Sequence, residues 1–173
     1  MKNITKAFII AVSAIGFASV SFAQSSSNAS ASANIVTPIA ITKVTDMNFG
    51  NVAVAASTGG AVTLSTSGTR TTGGAGGATL PATSGTVGAA EFTISGQASY
   101  TYVISLPSSC TISDGSGHTM TVNSFTSFPS ATGTLSSSGV QNLKVSATMN
   151  VAAAQPSGFY TNPSGVPVTV NYN

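Results

Sequence analysis

The stretch Leu143-Lys-Val-Ser-Ala-Thr-Met-Asn-Val151 puts Leu143, Val145, Ala147, Met149 and Val151 on one side of the chain. Lys144, Ser146, Thr148 and Asn150 fall on the other. Successive strand side chains point to opposite faces, so this alternation predicts a strand with one face in a core and the other in water. The same pattern returns near the C-terminus, where Val166, Val168, Val170 and Tyr172 alternate with Pro167, Thr169 and Asn171.

Working upstream, residues 39–49 read as a strand that stops at Gly50, and residues 61–65 and 118–125 read as two more. Residues 91–95 and 99–106 flank Gly96, which predicts a hairpin with Tyr100, Tyr102, Ile104 and Leu106 on one face. Between these runs lie turn-rich segments: 67–88 with a mobile loop at Gly73–Gly77, then 107–117, then a loop through Gly139. No apolar period of 3.6 persists with helix caps, and no internal repeat is visible. About seven short strands between turns predict an all-β fold, a two-sheet sandwich over residues 37–173.

Residues 1–23 read differently. Lys2 and Lys6 precede an apolar run from Ala7 to Val20, and Ser21-Phe22-Ala23 offers small residues for cleavage. The run is shorter than the roughly 20 residues of a membrane span. The reading is a signal peptide and an exported protein, with about 150 of the 173 residues left after cleavage. That chain keeps Lys43, Arg70 and Lys144 against Asp46, Glu91 and Asp114, so the formal net charge of +2 belongs to the signal. A near-neutral β-rich chain favours association over dispersal.

Residues 24–36 form an extension in which Ala29, Ala31, Ala33 and Ile35 alternate with polar residues before Pro38. The pattern suits a strand at a sheet edge, because proline interrupts pairing.

Charged residues make up only 5% of the chain. So few charges exclude a nucleic-acid patch, a charged catalytic cluster and a multi-ligand metal site. Cys110, Asp114 and His118, spaced four apart, hold the components of a nucleophile–base–acid triad. Gly115 and Gly117 argue against the helix that would align them, and Asp-Gly-Ser-Gly is a turn sequence. The glycine run lacks the Lys-Ser/Thr and helix of a phosphate-binding loop, and the acids are too few for a calcium loop. The expectation is therefore no catalytic, cofactor or metal site, and no enzyme. Cys110 cannot form an internal disulfide; it reads as buried and inert, with an exposed thiol available for an intermolecular bond as the alternative. Tyr160, near Pro156 and Gly158, reads as a tyrosine tucked against the backbone at a corner. A covalent cross-link between Lys144 and a facing Glu91 can be imagined, but nothing in the sequence supports it beyond coincidence.

Three stretches carry a resemblance. They are Ala33-Asn-Ile-Val-Thr-Pro-Ile-Ala-Ile41 with Asn48-Phe-Gly50; Phe92-Thr-Ile-Ser-Gly96 with Tyr102-Val-Ile-Ser-Leu-Pro107; and Leu143 to Met149 with Gly158-Phe-Tyr160 and Val168-Thr-Val-Asn-Tyr172. Together they resemble a family of bacterial secreted domains known only as a domain of unknown function. The chain is also similar to subunits of archaic chaperone–usher pili, the spore-coat-U-like group. That resemblance rests on the alternating extension, Phe49-Gly50 and the penultimate Tyr172. It implies an immunoglobulin-like, pilin-like sandwich completed by a strand from a neighbouring subunit.

On this reading the protein is a structural subunit of a cell-surface or extracellular fibre. Ala29, Ala31, Ala33 and Ile35 would be the donor strand. Leu143, Val145, Met149, Val166, Val168, Val170 and Tyr172 would wall the acceptor groove. The implied partners are other copies of itself, head to tail, with a periplasmic chaperone and an outer-membrane usher. Two departures stand out: a single cysteine excludes the common pilin disulfide, and the donor carries alanines. Burying Ala in place of Val or Leu forgoes about 1–2 kcal/mol per site. The alternative reading is a self-contained secreted adhesin or carbohydrate-binding module that meets a host or matrix glycan through its loops.

Overall fold

The computed structural model describes residues 24–173. The signal peptide read over residues 1–23 lies outside the described residues. Residues 24–35 belong to a separate unit from Val36–Asn173, and they form neither helix nor strand.

The domain is all-β. Its strands are β1 (Ala40–Thr45), β2 (Ala53–Val54), β3 (Gly60–Leu64), β4 (Arg70–Gly73), β5 (Ala78–Thr79) and β6 (Ala90–Ser95). They continue with β7 (Thr101–Ser105), β8 (Ser109–Ser113), β9 (Thr119–Phe128), β10 (Thr132–Thr134), β11 (Val140–Val151) and β12 (Thr169–Tyr172). The seven or so strands of the sequence reading become twelve among the described residues, because the turn-rich segments hide short ones.

β11 organises the larger sheet. One edge pairs with β6 through Val140–Val145 and then with β3 through Thr148–Val151; the other pairs with β9. β1 lies beyond β6, β4 beyond β3, and β8 beyond β9. The second sheet runs β10-β7-β12, and β2 and β5 form a small pair. All pairings are antiparallel.

The inward residues of β11 divide between two apolar clusters. Leu143 and Val145 join Ile94, Tyr102, Ile104, Leu135 and Val170, bridging the two main sheets as a sandwich. Ala147, Met149 and Val151 join Phe49, Val62, Leu64 and Val122. Tyr102 is fully buried, and its hydroxyl donates to Gln141 Oε1 at 2.7 Å, so its polar end is satisfied. The ring lies so close to Gly133 that a Cβ there would sit 2.3 Å from it.

Three expectations are corrected. Residues 91–95 and 99–106 are not a hairpin: β6 pairs with β1 and β11, whereas β7 pairs with β10 and β12 in the other sheet. The chain crosses between layers at Gly96–Tyr100, so both strands turn apolar faces to the same core from opposite sides. Residues 107–117 are not all loop, since β8 occupies Ser109–Ser113. The glycine run Gly73–Gly77 is not all loop: Gly73 is the last residue of β4, and a Cβ on Gly77 would lie 1.8 Å from the Thr58 carbonyl oxygen.

Candidate functional site

β12 is the last strand of its sheet and pairs only with β7. Asn173 N–H donates to the Thr101 carbonyl, and antiparallel pairs alternate, so Thr169 and Asn171 turn their backbone groups toward β7. Val170 and Tyr172 turn theirs outward, where no backbone partner meets them among the described residues. Strand pairing starts at Thr169 because Pro167, at the same phase, has no N–H to offer β7.

The C-terminal end of this edge is pinned to the start of the domain. The Tyr172 hydroxyl donates to the Thr37 carbonyl at 2.8 Å and accepts from Gln97 N–H at 2.6 Å. Thr37 N–H in turn donates to Gln97 Oε1 at 3.2 Å, and the Tyr100 ring packs edge-on against the Tyr172 ring at 5.6 Å. Thr37 is therefore held beside the open edge.

The proposed acceptor residues separate into groups. Leu143, Val145 and Val170 lie in one buried cluster, with Val168 and Tyr172 half-buried against it. Met149 lies in the other cluster, and Val166 sits half-buried in the segment before β12. Ile39, Ile41, Phe92 and Leu106 are also half-buried against the first cluster, and sequence reasoning had not grouped them there. Of the proposed donor residues, Ala29, Ala31, Ala33 and Ile35 are all exposed.

The triad is not assembled. Asp114 and His118 pair across the β8–β9 turn, Oδ2 to Nδ1 at 2.6 Å. Asp114 Oδ1 accepts from Ser116 and His118 N–H, an Asx-type turn. The hydrogen bond from His118 is the main reason the Asp114 carboxyl titrates below its ordinary value. Cys110 sits three strand residues before Ser113, roughly 10 Å along β8 at about 3.4 Å per residue. It packs against Val122's cluster, where burial raises its thiol pKa against a hydrogen bond with Asn162. A raised pKa keeps a thiol protonated and unreactive.

One sequence reading of a single residue holds, and one ion pair is added to it. The Tyr160 hydroxyl donates to the Pro156 carbonyl at 2.8 Å, as a corner tyrosine should. Lys144 lies opposite Glu91 in the β11–β6 register, with Nζ 2.8 Å from Oε1. The role of Arg70 was not legible: its Nη1 donates to the Phe49 and Asn51 carbonyls at 2.6 and 2.8 Å, clamping the turn at Gly50.

The fold and the open edge define an all-β sandwich domain. The family model described as "Domain of unknown function (DUF4402)" matches residues 39–172, and the chain belongs to that family. No curated protein and no solved structure matches it.

Proposed function

We propose that this protein is an exported structural subunit that polymerises head to tail, its N-terminal extension adding a strand to the β12 edge of the next copy. The observation that carries the reading is the unpaired edge at Val170 and Tyr172, bordered by half-buried Ile39, Ile41 and Val168. Strand addition draws affinity from main-chain hydrogen bonds and register from alternate side chains. Residues 29–35 have that alternation yet form no strand in the single chain. Head-to-tail donation does not close on itself, so it builds a filament. An exposed edge is an aggregation hazard before assembly, which gives a periplasmic chaperone and an outer-membrane usher their place in the proposal.

One observation favours the second reading, a complete sandwich acting as an adhesin: Ile94, Leu143 and Val145 are wholly buried without any added strand. The assembly state separates the two. Mature protein from its native host, run unheated on a denaturing gel, should give a ladder of multimers that a variant lacking residues 24–36 does not. Monomer in both lanes, with the variant unfolded in solution, would sink strand donation.

A further inference from the structure

Charge in this domain is concentrated. Of the six charged side chains after residue 23, Asp46, Glu91 and Lys144 line one depression of about 380 Å³, and Lys43 pairs with Asp46. It is formed by the end of β1, the β3–β4 turn, the segment before β6, and the neighbouring positions Glu91 and Lys144. The charges form two exposed ion pairs, Lys43–Asp46 and Lys144–Glu91, both at 2.8 Å. Exposed pairs contribute little to stability, so stability does not explain why a chain so poor in charge places most of it here.

The hydrogen-bonding groups that remain are mixed. Asp46 and Glu91 each engage one carboxylate oxygen and keep the other as an acceptor. Asn48 uses its Oδ1 on Gly50 N–H and keeps its amide as a donor. Lys144 keeps N–H donors, and the Thr86 hydroxyl both donates and accepts. Two ammonium and two carboxylate groups leave no net charge, which suits neither a bare cation nor an anion. A neutral polyol, whose hydroxyls donate and accept in turn, matches the set.

An aromatic platform adjoins it. Phe128 lies directly opposite Lys144 in the β9–β11 register, on the same outer face as Glu91, and is 68% exposed. Opposed side chains stand about 5 Å apart, so Glu91, Lys144 and Phe128 form one row across three strands. An exposed ring beside an ammonium, with a carboxylate one strand further on, offers an apolar face for ring C–H groups and polar groups for hydroxyls.

We infer that this depression, with Phe128 at its rim, binds a neutral saccharide unit. The volume lies at the small end of ligand sites, which run from about 300 to 1,000 Å³, enough for one or two sugar rings. The inference does not rest on strand donation, and no residue of β12 lines the depression.

The test is NMR titration of the mature chain with glucose, galactose, mannose and N-acetylglucosamine at millimolar concentration, with calcium chloride and sodium sulfate as separate probes. At least one sugar should shift the Thr86, Gly88 and Lys144 amides. Glu91→Gln, Asp46→Asn and Phe128→Ala should each weaken that binding about ten-fold, the loss of one charge-assisted or stacking contact, with the remaining amide spectrum unchanged. No sugar shift at these amides, shifts indifferent to all three substitutions, or shifts from calcium or sulfate alone would overturn it.

Discussion

The Tyr172 hydroxyl donates its proton to the carbonyl oxygen of Thr37 at 2.8 Å, joining residues 135 positions apart in the chain. The Tyr172 hydroxyl oxygen itself accepts from Gln97 N–H, so one side chain ties the last strand, the β6–β7 crossover and the entry to β1. Tyr172→Phe keeps the ring against Tyr100 and removes both hydrogen bonds. Urea denaturation should show a loss of about 1–2 kcal/mol with an unchanged slope.

Glycines test the close approaches. Gly77→Ala forces a Cβ against the Thr58 carbonyl and should cost about 2–3 kcal/mol by the same assay. At Gly73 no atom lies within 4 Å of an added Cβ, and Gly73→Ala should change stability by less than about 0.5 kcal/mol. Equal effects at the two positions would contradict the packing of the β4–β5 turn.

The Asp114 carboxyl, held below its ordinary pKa of about 4 chiefly by His118, makes a definite pH prediction. A depressed folded-state pKa stabilises fully above the unfolded value, and that contribution is lost as pH falls through the folded value. Wild type should therefore exceed Asp114→Asn in stability at pH 6, and the gap should shrink steadily below pH 4. A gap that widened on acidification would contradict the pairing.

Cys110 should react slowly. Burial raises its pKa, so little thiolate is present at pH 7.5, and iodoacetamide labelling of the folded domain should run at least about ten-fold slower than in 6 M guanidinium chloride. Equal rates would mean an open, activated thiol.

What could be read in advance follows from how each signal is encoded. Leu143–Val151 is legible because its two faces differ in polarity at every step. β8 was missed although Cys110 and Ile112 alternate with Thr111, because serines and the following Asp-Gly-Ser-Gly dominate the window. Alternation also carries no record of which sheet a strand joins, so β6 and β7 looked like a hairpin. Pro167 marks why the terminal strand is shorter than its pattern. The charged depression was not legible at all, since turns and strands scattered between residues 45 and 144 form it.

β11 meets β3, β6 and β9, all of which precede it in the chain. A polypeptide emerging N-terminus first has most of its strands before it has the one that joins them. Until residue 151 arrives, three strands wait without their common neighbour, and within the larger sheet only the β1–β6, β3–β4 and β8–β9 pairs have both members. Assembly is thus deferred almost to the end of the chain. A chain truncated before Val140 has the strands of those pairs but lacks the one that joins them, and completing the sheet in one late step makes the order of emergence part of the architecture.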